Sequence, residues 1–162
     1  MQPRRSKAKM TMFMFIGGLI ALTHILPVQA KANSAESEIR ALGRAIYYEA
    51  RGESLAGKKA VANVIMNRVG HEKFPDTVIG VIAQKGQFPW YRNASLRGKK
   101  PFDPKTHAME MKVAREVYWQ HKFERKRSNV GSSVFFNSNN SRPTKKAKKS
   151  VKIGGHQFFT LN

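Results

Sequence analysis

The sequence predicts an α+β domain, mainly helical, with a small β-hairpin at its C-terminal end. Three observations carry that expectation. Apolar residues recur at helical spacing from Ile39 to Val69 and again between Pro104 and Phe123. Residues suited to helix caps and stops bracket these stretches. After the basic break at Glu124 to Asn129 the pattern changes to short aromatic runs, Ser133 to Asn137 and Gly155 to Phe159, that read as strands.

Taken in order, Ser34 is placed to cap the first helix, with Glu36 and Glu38 in its first turn, where the dipole favours acids, and Gly52 as a stop. Ser54 caps a second helix that leaves at Gly70, with Leu55, Ala62, Ile65, Met66 and Val69 on one side. Both helices read as amphipathic and are expected to pack together. Phe74-Pro75-Asp76 forms a turn, and Asp76 caps a short helix from Thr77 to Gln84. A long polar loop is expected from Gln87 to Phe102. Asp103-Pro104 then starts a helix with Ala114, Val117, Tyr118 and His121 near one face. The two aromatic strands pair across the lysine-rich stretch between them, which reads as a solvated loop.

The N-terminus has the order of a secretory signal. Arg4, Arg5, Lys7 and Lys9 precede an uncharged stretch from Met10 to Leu26, and Val28-Gln29-Ala30 supplies small residues for cleavage after Ala30. Gly17-Gly18, His24 and Pro27 weaken the stretch as a permanent span, although an uncleaved anchor is the alternative. Residues 1–30 are therefore read as a signal peptide and 31–162 as one domain, exported to the periplasm, cell wall or extracellular space. The chain has no cysteine, so neither disulfides nor thiol chemistry support it. Its formal charge of +20 implies attraction to polyanions. An exported protein meets anionic envelope polymers before nucleic acid, so no nucleic-acid partner is expected, and a membrane contact only if the N-terminal segment is retained.

One carboxylate stands out in a chain with only ten acids. Leu42, Ile46 and Glu49 fall on one side of the first helix, which turns Glu49 toward packing. A carboxylate drawn out of water near the negative end of a helix holds its proton longer, as a general acid must. Pairing with Arg51 or Arg44, only to fix the helix end, is the structural alternative.

The ordered pieces Ala45 to Glu53, Val61 to Val69, Phe74 to Thr77, Val81 to Phe88, Phe135 to Asn137 and Ile153 to Phe159 resemble the SleB/CwlJ-type cell-wall hydrolases, spore-cortex-lytic enzymes among them. The resemblance covers about Ile39 to Phe159. It implies a lysozyme-like or transglycosylase-like domain acting on peptidoglycan, with Glu49 as the catalytic acid. Two departures are visible: Gln87-Phe88-Pro89-Trp90 stands where the family often has Gln-Phe-Ser-Trp, and the region before the last strand is lysine-rich where a tryptophan is common.

Cleaving a glycosidic bond needs a proton on the leaving oxygen while positive charge develops on the sugar. A second carboxylate is hard to find. Asp76 and Asp103 are explained as caps, Glu110 and Glu116 as exposed partners of nearby cations, and Glu53 as bonding amides of the next helix or pairing with Arg51. One acid without a partner suits a lytic transglycosylase, in which the muramoyl C6 hydroxyl attacks its own anomeric carbon. Hydrolysis by a bound water is the competitor.

Tyr48, Phe88, Trp90 and Phe158 are the aromatic candidates for sugar contact. Gln87 is placed to bond an acetamido group, and family position adds His156, near Glu49, and Asn137. Arg51 and Glu53 are supporting candidates. No metal or other cofactor is expected: HExxH is absent and the histidines are scattered, which argues against the zinc-amidase alternative. A non-enzymatic basic protein coating wall polymer or nucleic acid would explain the charge but not a shielded Glu49, and a lysis protein tethered by Met10–Leu26 is a third possibility.

Overall fold

The computed structural model describes the backbone of residues 25–93, 104–124, 128–139 and 147–161, and the side chains of these except 25–33, 104–106, 148–149 and 161. Three long helices carry the core: α1 (Ile25–Ala50), α2 (Leu55–Val69) and α5 (Pro104–Trp119). Two short ones, α3 (Val78–Ala83) and α4 (Pro89–Arg92), lie between α2 and α5 in sequence, and three strands follow, β1 (Phe135–Ser138), β2 (Ala147–Ile153) and β3 (His156–Leu161). The expected α+β class, mainly helical, holds.

The first helix begins earlier than its cap signal suggests. It runs from Ile25 through Ser34, whose carbonyl accepts from the Ser37 hydroxyl at 2.7 Å within the helix. The good helix formers Gln29, Ala30, Lys31 and Ala32 allow the extension, so the expected cleavage boundary at Ala30 lies inside α1. Most of the Met10–Leu26 segment lies outside the described residues. Glu36 and Glu38, now mid-helix, serve other elements. Glu36 takes a forked bond from Arg115 of α5 at 2.9 and 3.2 Å, and Glu38 accepts the N–H of Val78 at 2.5 Å at the start of α3. Gly43 lets α1 and α5 approach: a Cβ there would stand 2.6 Å from the Met111 sulfur.

Helix α2 starts and stops where the sequence places it, with the Ser54 hydroxyl accepting from Gly57 N at 3.3 Å and Gly70 at its end. Its surroundings differ from expectation. Gly57, Lys58, Ala60 to Met66 and Arg68 are all buried, while Leu55 is 52% exposed. This is a central helix covered on every side, and its alanines and small polar residues permit that closeness. Leu42 and Ile46 of α1, Val61 and Ile65 of α2, Ile82 of α3 and Val113 and Val117 of α5 meet in one cluster.

Thr77, not Asp76, caps α3, accepting from Gly80 N at 3.0 Å. The expected polar loop contains α4, with Pro89 at its first position, where a missing N–H costs nothing. Helix α5 ends at Trp119 and passes into a π-helical turn, Gln120–Glu124. Asp103 lies outside the described residues.

Glu110 is the largest departure in the helices. It is fully buried, where an exposed surface partner is expected, and its Oε1 lies 2.7 Å from Nζ of the buried Lys58. Lys58 also donates to the carbonyls of Ala50 and Arg51 at 2.9 and 2.7 Å. One ammonium thus holds α5 and the C-terminal end of α1 together. Glu116 is half-exposed and paired with Lys59, as expected.

The sheet has three strands in the order β1-β3-β2, antiparallel throughout. The two aromatic strands pair as predicted, Phe135 opposite Phe159 and Asn137 opposite Gln157. Part of the lysine-rich stretch, expected as loop, forms the third strand β2, with a bulge between Ala147 and Ser150. Lysines suit an edge strand because their charge discourages further pairing. The tight hairpin therefore joins β2 to β3, turning at Gly154 with φ 58°.

Candidate functional site

Glu49 occupies the last turn of α1, on the same side as Leu42 and Ile46, and is mostly withdrawn from solvent. The indole N–H of Trp90, on α4, donates to its Oε1 at 2.9 Å. Tyr48 stacks on Trp90 with ring centres 4.7 Å apart and planes at 21°, and the buried Tyr47 meets Tyr48 edge-on. Pro89 starts the turn that presents Trp90, so the departure from the Gln-Phe-Ser-Trp pattern leaves the indole positioned on the acid.

Burial is the main influence on Glu49 and pushes its carboxyl above the ordinary value. The Trp90 hydrogen bond and the positive charge of Arg68 pull the other way. Arg68 is a residue the sequence reading missed. Only 3% exposed, it donates through Nε to the Val134 carbonyl at 2.7 Å, and its guanidinium lies over the rings of Phe74, Phe88 and Phe135 at 5.3, 5.7 and 5.4 Å. Burial lowers its pKa to about 10, which still leaves it charged at neutral pH. Asn67 beside it donates to the carbonyls of Gly131 and Ser133, each at 2.8 Å. The Asn67-Arg68 pair at the end of α2 was the available signal, since two polar residues closing an apolar helix must find partners.

Glu53 turns away from both expected partners. Its Oε2 accepts from Gly155 N at 3.0 Å and its Oε1 lies 3.5 Å from His156 Nδ1. The two glycines make room for it: a Cβ on Gly154 would stand 2.0 Å from Oε2, and one on Gly155 2.7 Å from Oε1. His156 thus faces Glu53, where Glu49 was expected, and its ring meets Phe136 edge-on at 5.5 Å.

The structure therefore gathers Tyr48, Glu49 and Trp90 in one cluster, and in a second Glu53, from the turn before α2, and His156 of the hairpin. Phe88 and Phe158 are 2% and 0% exposed and belong to the core, so neither has a ring face for a sugar. Phe88 looked like a loop residue because its neighbours are polar, yet it stands at the N-cap of α4 and packs inward. Gln87 is half-buried in the turn between α3 and α4, its N–H on the Gln84 carbonyl at 3.3 Å. Asn137 is half-buried on edge strand β1. Arg51 is exposed, its guanidinium 5.8 Å from the Tyr47 ring centre. No group of three or more His, Cys, Asp or Glu among the described residues is arranged to hold a metal. A groove of about 520 Å³ between α1, α3 and α4 has Trp90 in its wall; Glu49 is not among its lining residues.

Comparison with known proteins identifies the family. The chain is 46% identical over 54 residues to a spore cortex-lytic enzyme of Oceanobacillus iheyensis, and 48% over 48 residues to one of Bacillus subtilis. Those matches cover 33% and 30% of this chain but only 20% and 16% of the relatives, so the chain spans about a fifth of the curated proteins it matches. The crystal structure of the catalytic domain of Bacillus cereus SleB superposes with a TM-score of 0.62 at 26% identity, over 77% of this chain and 91% of that one. The catalytic domain of a germination-specific lytic transglycosylase, SleB from Bacillus anthracis, gives 0.60 at 25% identity, over 77% and 95%. The profile of the cell wall hydrolase family matches residues 52–159, from just after Glu49 into β3. With most of its length in that match, the chain belongs to the cell wall hydrolase family.

Proposed function

We propose that this protein degrades peptidoglycan by cleaving the bond between N-acetylmuramic acid and N-acetylglucosamine, as a lytic transglycosylase with Glu49 as its acid. The observation that carries the reading is a carboxyl held above its ordinary pKa by burial and fixed by the Trp90 N–H at 2.9 Å. Glu49 gives its proton to the glycosidic oxygen as the bond from the muramoyl C1 to that oxygen breaks. The muramoyl C6 hydroxyl then bonds to C1 and returns its proton to the Glu49 carboxylate. No water is consumed, and the product carries a 1,6-anhydro ring. Arg68, positive and buried, favours the carboxylate that exists between the two proton transfers.

The absence of a second enzyme carboxylate from this scheme fits the placement of Glu53, which accepts from the Gly155 N–H of the hairpin and lies 3.5 Å from His156 Nδ1. The lytic transglycosylase likeness supports the same choice. Trp90 and Tyr48 supply the aromatic contact for the sugar. Export, with cleavage after Ala30, belongs to the proposal because the substrate lies outside the cytoplasm.

The test is Glu49→Gln on purified sacculi. The variant is expected to fold and to release no soluble muropeptides, while the parent releases fragments with anhydro ends by mass spectrometry. Reducing ends would transfer the second step to water, free stem peptides would replace glycan cleavage with amide cleavage, and undiminished release by the variant would remove Glu49 from the chemistry.

A further inference from the structure

The groove walled by Trp90 is separate from the face of Glu49 yet shares that indole with it. Its floor and sides come from Ser37, Arg40 and Arg44 of α1, Ile79 of α3, and Trp90 and Tyr91 of α4. Ile79 is 38% exposed, and the basic residues stand one helical turn apart along one wall. The acid in the groove, Glu36, offsets part of this charge and leaves the lining net positive. Its carboxylate is forked by Arg115 at 2.9 and 3.2 Å, while Arg40 reaches it only at 3.6 Å with 70% of its side chain exposed. The result is an apolar trough with a cationic edge, one indole away from the proposed acid.

We propose that this groove binds the carboxylate-bearing peptide stem of peptidoglycan, an inference that rests on the glycan-cleaving reading above. The stem hangs from the lactyl group of the muramoyl residue, the sugar whose C1 bond is to be cut, so it must leave the reacting centre along a neighbouring surface. Its free carboxylates match the guanidinium edge, and its alanine methyl groups match Ile79 and the indole face. Trp90 then flanks the stem with its ring in addition to meeting the sugar and holding Glu49 through its N–H.

The chain has two tryptophans, so in Trp119→Phe/Glu49→Gln protein the remaining indole, Trp90, reports on the groove. Titrating the synthetic tripeptide L-Ala-γ-D-Glu-meso-diaminopimelate is expected to change its emission saturably. Adding Arg40→Ala and Arg44→Ala should weaken binding about tenfold or more, as loss of charge-assisted bonds predicts, and amidating the tripeptide carboxylates should do the same. With Glu49 intact, the ratio of kcat/KM on stem-bearing glycan to that on amidase-stripped glycan should fall by a similar factor in the arginine variants. No saturable signal, or an affinity and a ratio untouched by the arginine changes, overturns the proposal. Tripeptide binding by a protein that cleaves neither glycan would leave the groove standing and remove the glycosidase reading. Glycan cleavage without tripeptide binding would do the reverse.

Discussion

Replacing Lys58 with methionine removes the ammonium that joins α5 to the end of α1, and its cost can be worked from the contacts it makes. Lys58 meets Glu110 Oε1 at 2.7 Å and the carbonyls of Ala50 and Arg51 at 2.9 and 2.7 Å, with side-chain exposures of 8% for the lysine and 0% for the glutamate. The ion contact is close but off the line of a hydrogen bond, so attraction between charges, rather than a directed bond, holds it. Leaving one member of a buried pair alone costs about 3–5 kcal/mol. Two carbonyls losing a charged donor add about 1 kcal/mol more. Lys58→Met should therefore destabilise by roughly 4–6 kcal/mol, a large part of a typical domain's stability. At about 3 °C per kcal/mol, the melting temperature should drop by ~12–18 °C. Glu110→Leu alone should cost about 3–5 kcal/mol, because the ammonium keeps its carbonyls but loses its counter-charge. The double variant Lys58→Met/Glu110→Leu should recover at least ~2 kcal/mol of the summed loss, since no charge is then stranded. Urea unfolding followed by circular dichroism measures all three. A coupling below about 0.5 kcal/mol, or a nearly neutral Lys58→Met, would refute the account of this ammonium as the tie at the end of α1.

Trp90→Phe removes the N–H that lowers the Glu49 pKa, so the acid should stay protonated to higher pH and the alkaline limb of the pH–rate profile should move upward. Looser placement of the carboxyl should at the same time cut kcat about ten- to hundredfold, and a limb that moves downward would contradict the role given to the indole. Glu49 titrates above its unfolded value of 4.5, so it opposes folding as pH rises from there through its folded value. Glu49→Gln should accordingly be at least as stable as the parent at neutral pH, and more stable relative to it there than at pH 3, as thermal melts at both pH values would report. Gly154→Ala should cost about 1–3 kcal/mol, because φ is 58° and the new Cβ would strike Glu53 Oε2; near-parent stability would show that the carboxylate yields easily.

What could be read from the sequence was governed by how local its signals are. Ser54 and Gly70 bound α2 correctly because a cap and a stop act within one turn of chain. Glu49 could be placed against the packing because three residues of one helix share a face whatever surrounds them. Glu110 could not. A glutamate on a helix with cations nearby reads as a surface residue, and only the arrival of Lys58 from α2, beneath the end of α1, makes its burial tolerable. Phe88 and Phe158 failed as sugar contacts for the related reason that a polar neighbourhood in sequence says little about the direction of a ring. Part of the lysine run, from Ala147 on, became an edge strand because β3 offers a free edge, a fact that exists only after the sheet has formed. Arg68 was legible only as a polar residue closing an apolar helix, because the partners that give it significance, the Val134 carbonyl and the Phe135 ring, lie far along the chain.

The same distinction explains how the proposed acid is tuned. An acid that must give up its proton and then take one back works poorly at either extreme: burial alone would keep it from ionising, and a strong ion pair would keep it from being protonated. Glu49 sits between these limits, with burial raising its pKa while the Trp90 N–H and the charge of Arg68 act against it. Burial follows from the helix face, which is local. The two opposing groups come from α4 and α2, and neither moves independently of the core: Arg68 is held between the Val134 carbonyl and three aromatic rings, one of them Phe88, at the N-terminus of the short helix that carries Trp90. Phe88, lost as a sugar contact, thus regains a part in the chemistry by joining the Arg68 cation, 5.7 Å from its ring centre, to the Trp90 indole, 6.2 Å from it.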